Sequence, residues 1–286
     1  DYKVPSIPAN PMETGLVEDF FTPGKDSIYN RTGALAESLS ISQKGITYID
    51  SKTSSLYFIP NETNKKSIKP KKILTQSYLS QARQSADGQL IAINFYTDYT
   101  GSERYRVSIY NTQTKKSYTV KESGLTEASI VKSGNDYYLV AVKYQGENWK
   151  IRITKLLFAG NKIVGEEKAV YIPYTRLQTP AYFVDCADGT FAFVLRDKME
   201  YYICLADLQG NEISRIALPY KRMDARYLSF SEGKLYFSWV KPGTMPRLGS
   251  YNISENTFAL SNQDFSGGVF YPVKKADKIV YIGEFY

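Results

Sequence analysis

Short apolar runs, each opened by a tight turn, recur along this chain at intervals of roughly 43 to 54 residues, and that period constrains the fold more than any other feature. The six runs are Ile46 to Asp50, Leu90 to Tyr96, Tyr137 to Tyr144, Thr190 to Arg196, Lys234 to Val240 and Lys278 to Tyr286. Gly45, Gly88, Asn135, Gly189, Gly233 and Asp277 anchor the turns before them. No segment sustains a 3.6-residue apolar pattern, so the period points to repeated strands far more than to helical repeats.

Residues 77–120 display the whole unit. A weakly alternating strand (Tyr78 to Ala82) leads through Asp87-Gly88 into LIAINFY, then through Thr100-Gly101 and Asn111-Thr112 into two further strands. The second strand of each unit is the most apolar, as expected of a strand covered on both faces. A four-stranded meander repeated in this way is a propeller blade. The sequence therefore predicts an all-β fold with residues 1–286 in a single six-bladed β-propeller of four-stranded antiparallel blades.

The sixth unit ends at Tyr286 without its outer strands. Residues 14–30 read as strand, Pro23-Gly24 turn and strand, and this hairpin is expected to pair with the C-terminal strands and close the ring. Pro5, Pro8 and Pro11 make residues 1–13 an irregular N-terminal arm.

Histidine is absent, which removes Ser-His-Asp and Cys-His catalysis and the usual ligands of a catalytic zinc. No catalytic residue, cofactor, metal or disulfide is expected. Cys186 and Cys204 fall two strands apart in the fourth unit, about 9.5 Å by strand spacing and beyond disulfide reach. Channel carboxylates such as Glu37 and Asp185 keep a carbohydrate-binding or carbohydrate-processing enzyme as the alternative, because propeller glycosidases work with paired acids.

Charge supplies the leading reading. The chain is formally +7, and most of that excess falls on the face formed by the loops after second and fourth strands. Arg104, Lys221, Arg222, Arg226, Lys241 and Arg247, around Tyr99, Trp149 and Trp239, are the candidate binding residues. They fit an acidic protein or an anionic polymer. The Lys65 to Lys72 run reads as a solvated edge strand, and no nucleic-acid motif accompanies it, so nucleic acid is disfavoured. No apolar run approaches the roughly 20 residues of a transmembrane helix, and a monomer is expected.

Ser85-Ala86-Asp87-Gly88-Gln89 before LIAINFY, with the later IYN hairpin, resembles the TolB-like class of WD-type propeller repeats. Cys186-Ala187-Asp188-Gly189-Thr190 before FAFVL is a looser copy, and the other turns depart further from Ser-x-Asp-Gly. The likeness is to a repeat type over about residues 36–286. It implies a non-catalytic binding or scaffold protein of the bacterial periplasm or cell envelope, lipoproteins included, whose export signal lies outside this chain.

Overall fold

A computed structural model describes residues 6–7, 10–12, 39–50, 52–60, 70–98, 100–146, 148–261, 269–275 and 278–283. Five meanders stand side by side. Blade I holds β3 (Ser40–Ser42), β4 (Gly45–Asp50), β5 (Ser55–Pro60) and β6 (Lys71–Thr75); blade II holds β7 (Leu79–Gln84), β8 (Leu90–Tyr96), β9 (Tyr105–Asn111) and β10 (Lys116–Thr119). Blade III runs β11 (Leu125–Ser133), β12 (Asp136–Gln145), β13 (Asn148–Ala159), β14 (Lys162–Glu166) and β15 (Val170–Tyr174). Blade IV runs β16 (Gln178–Asp185), β17 (Thr190–Asp197), β18 (Glu200–Asp207) and β19 (Glu212–Ala217). Blade V runs β20 (Asp224–Ser231), β21 (Lys234–Val240), β22 (Arg247–Asn252) and β23 (Thr257–Leu260).

The second strands are apolar on both faces because each serves two blade interfaces. In β17, Phe191, Phe193 and Leu195 pack with Val140, Val142, Ile151 and Ile153 of blade III, whereas Ala192 and Val194 pack with Leu235, Phe237 and Trp239 of blade V. Strand β12 does the same: Val140 and Val142 face blade IV, whereas Leu139 and Ala141 join Leu90, Ala92, Val107 and Ile109 of blade II. The period-2 pleat thus distributes one strand between two cores.

The expected six-bladed ring is corrected to five blades. Among the described residues the last unit yields β24 (Val269–Lys275) and β25 (Lys278–Gly283), a two-stranded sheet lying against β20 to β22 of blade V and against β3 of blade I. Counting second strands overcounts blades, because a blade needs its outer pair as well. Among the described residues β25 pairs with β24 alone. The closing hairpin read at 14–30 lies outside the described residues.

Two local features depart from the sequence expectation. The first dozen residues, read as an irregular arm, contribute β1 (Ser6–Ile7) and β2 (Asn10–Met12), which add in parallel to the outer edges of β19 and β23. Blade III is longer than its neighbours because β13 pairs along its first half with β15 and along its second half with β14. That extra limb explains the one 54-residue step near Asn135 to Gly189 in the repeat.

Inner strands carry a repeated bulge. Glu127-Ala128, Tyr182-Phe183 and Tyr227-Leu228 each oppose a single residue of the second strand, and the first residue of each pair is left-handed, with φ of 51°, 57° and 58°. The bulge sends the second residue into the blade interface, where Ala128, Phe183 and Leu228 are buried. It sends the first toward the channel axis, where the rings of Tyr182 and Tyr227 meet edge to face at 5.1 Å. Arg83 belongs to the same cluster and donates from Nη1 to the Leu39 carbonyl at 3.1 Å. Burial lowers its guanidinium to about 10 against the pull of Glu127, Tyr182 and Tyr227.

Candidate docking cleft

Three turns of blades IV and V meet on the face that carries the loops after second and fourth strands. The first joins β17 to β18 at Lys198-Met199, with Lys198 N–H donating to the Leu177 carbonyl at 3.1 Å. The second precedes β20: Met223 N–H donates to Tyr220 O at 3.1 Å and places Arg222 at φ 59°. Buried Met223 holds that turn down while Lys221 and Arg222 stay exposed. The third follows β21, where Lys241-Pro242-Gly243-Thr244 has proline second and a glycine of φ 81° third, closed by Thr244 N–H to Lys241 O at 3.0 Å. This is type II turn chemistry, and it fixes where Lys241 leaves the strand.

Between these turns lies a cleft of about 350 Å³. Arg196, Lys198, Arg222 and Lys241 supply four cations to its lining, Met199, Tyr201, Val240 and Pro242 an apolar part, and Asp224 the one carboxylate. That carboxylate is already engaged: Arg226 grips it through Nε at 2.6 Å and Nη2 at 2.5 Å. Burial raises the Asp224 carboxyl, and the guanidinium groups of Arg226 and Arg196 work against the rise. Lys198, Arg222 and Lys241 make no salt bridge among the described residues, so the cleft presents uncompensated positive charge.

A stacked column supports the blade V wall. The Lys241 ammonium sits 4.9 Å from the centroid of Tyr220, whose ring stacks on Trp239 at 5.9 Å, and Arg247 lies 5.4 Å from the Trp239 centroid. Trp239 is 2% exposed and donates from Nε1 to Leu248 O at 3.1 Å. It is therefore a packing residue beneath Tyr220, the ring on which Lys241 rests.

The nine candidate binding residues are not all brought together. Arg222 and Lys241 line the cleft, Lys221 adjoins it in the same turn, Arg226 backs Asp224, and Trp239 with Arg247 forms the support. Arg104 sits on blade II, over Tyr105 at 4.9 Å, and donates from Nη2 to its hydroxyl at 2.9 Å. Trp149 sits on blade III, half-buried against Tyr144 with ring centroids 4.7 Å apart. Tyr99 lies outside the described residues. Sequence reasoning missed Arg196, Lys198, Met199, Tyr201 and Asp224. The Arg196 to Glu200 loop is neutral when its charges are summed, yet Asp197 turns away and accepts from Gln178 Nε2 at 2.8 Å. The uneven orientation of its charges, not their total, makes this loop basic.

Asp185, the described member of the channel carboxylates, is engaged by its own turn and by the inner strand of blade III. Its oxygens accept from the backbone N–H of Lys132 at 2.9 Å and of Ala187 at 3.0 Å, and burial raises its carboxyl. Glu37 lies outside the described residues. Cys186 and Cys204 are free and buried, and they face opposite interfaces, Cys204 toward blade III and Cys186 toward blade V. Among the described residues no three Cys, Asp or Glu side chains converge as metal ligands do, and no helix is long and apolar enough to cross a membrane.

No family model matches the chain. An uncharacterised protein of Treponema pallidum is 29% identical over 193 residues, 66% of this chain, and the match takes in only 18% of that much longer protein. Among solved structures, TolB of Acinetobacter baumannii superposes over 79% of this chain and 54% of its own at TM-score 0.51 and 15% identity. A TolB structure from Agrobacterium tumefaciens covers 83% of both chains at TM-score 0.57 and 12% identity. The chain thus shares the β-propeller fold of the TolB structures, which the Ser85 to Gln89 turn and its following strand already resembled.

Proposed function

We propose that this chain is a non-catalytic binding propeller that docks an acidic protein segment in the cleft between blades IV and V. The observation that carries the reading is four cations lining one cleft whose single carboxylate is already paired. Charge held on rigid turns at a loop face steers an oppositely charged partner and sets its register. A bacterial envelope setting accompanies the proposal; the TolB-like fold supports it, and the relative from Treponema pallidum supports its bacterial part alone.

Binding of a labelled polyglutamate to the chain tests it. Combined Arg196→Glu, Arg222→Glu and Lys241→Glu substitutions are expected to weaken binding by about tenfold or more at low salt, with the difference shrinking as salt screens the charges. Arg196→Glu alone in the cleft and Arg104→Glu on blade II, each a single charge reversal, serve as the matched pair, and only the first is expected to weaken binding. Equal affinity for the wild type and the cleft variant at both salt concentrations would reject the docking reading.

A further inference from the structure

The cleft is basic, but its rim is not wholly polar. Met199 is 56% exposed in its lining, Met245 is 52% exposed just after the lining Thr244, and Leu177 is 50% exposed beside Lys198, to which its carbonyl is hydrogen-bonded. Long apolar side chains left in water on two sides of a cationic cleft are poorly explained by solubility or by folding, since none of the three belongs to a blade core. Methionine in particular adapts its shape to a partner's side chain. A uniformly anionic polymer would satisfy Lys198, Arg222 and Lys241 and leave these three apolar groups wet.

Resting on the docking reading above, we infer that the partner segment is acidic and amphipathic: carboxylates meet the cations while leucine-like or phenylalanine-like side chains cover Met199 and Leu177 on one wall and Met245 on the other. Apolar contact of this kind sets residence time, whereas the surrounding charge sets encounter rate and orientation.

Two short labelled peptides of equal length and charge separate the terms: one of repeating Glu-Glu-Leu, the other of repeating Glu-Glu-Ser. The leucine peptide is expected to bind about tenfold more tightly, as two partly buried apolar side chains would give. Leu177→Ser, Met199→Ser and Met245→Ser combined should bring it down to the affinity of the serine peptide and leave the serine peptide unaffected. All three residues are exposed, so the triple variant should fold, and its serine-peptide affinity verifies that the cleft is intact. Equal binding of the two peptides to the wild type overturns the amphipathic inference, leaves the docking reading in place and favours a purely anionic ligand. A leucine preference that survives the three substitutions also overturns it, because the apolar contact then lies elsewhere. Binding of neither peptide removes the docking reading itself.

Discussion

Asp87 shows how one residue of the repeat motif does more than make a turn. Its Oδ1 accepts from Ser85 Oγ at 2.7 Å and Gln89 N–H at 3.0 Å, and its Oδ2 accepts from Tyr137 Oη at 2.7 Å and Lys132 Nζ at 2.9 Å. The first pair shapes the turn and the second ties blade II to blade III. Next to it, Gly88 at φ 66° passes so close to blade I that a Cβ would stand 2.6 Å from Ser42 Oγ. Burial acts to raise the Asp87 carboxyl, but the hydrogen bonds from Tyr137, Lys132, Ser85 and Gln89 overcome it and hold the group down at about 2. A folded-state value below the unfolded one stabilises the fold above the unfolded value and loses that contribution as pH falls through the folded value. Stability should therefore drop between about pH 4 and pH 2, and Asp87→Asn should cost on the order of 2 kcal/mol at neutral pH while flattening that acid limb. Chemical denaturation of both proteins across this range checks it, and an unchanged acid limb in the variant would contradict the clasp. Sequence alone marked Asp87-Gly88 as a turn. Its partners Lys132 and Tyr137 lie 45 and 50 residues away and belong to a different blade.

Strands β8, β12, β17 and β21 are the elements the sequence announced most clearly, because burial on both faces leaves a continuous apolar run that no surface strand has. Phe193 lies at the middle of β17 with no exposure, its ring centroid 5.7 Å from Phe183, 6.0 Å from Phe191 and 6.2 Å from Tyr174. Phe193→Ala should destabilise the protein by about 3–5 kcal/mol through lost burial and the cavity left between blades III and IV. A loss under about 1 kcal/mol in denaturant unfolding would show that this interface is not tightly packed. Outer strands were harder to read. They are short and polar, and neither the parallel additions of β1 to β19 and β2 to β23 nor the division of β13 between β14 and β15 leaves a periodic mark. Inner-strand bulges were only partly marked: Tyr182 and Tyr227 share a residue type as well as the left-handed conformation, but Glu127 at the same place in blade III does not.

At the scale of the molecule, the propeller could be read from repeat spacing, while the number of complete blades could not. A turn and a second strand recur in the last unit, but β24 and β25 stand there as a two-stranded sheet. The candidate site was legible in its composition and not in its place. Net charge per loop pointed to the loop face that carries the cleft yet gathered Arg104 and Trp149 from blades II and III with Arg222 and Lys241 from the IV–V boundary. Only the register of adjoining turns separates them. It also brings in Arg196 and Lys198, whose loop-mate Asp197 bonds to Gln178 outside the cleft lining. Hydrogen exchange of the chain with and without an acidic Glu-Glu-Leu peptide measures this placement directly. Slowed exchange should appear in the turns around residues 196–201, 220–224 and 240–245 and be absent from the 100–106 loop of blade II. Protection confined to blades II and III, or spread evenly over the loop face, would contradict a docking site between blades IV and V.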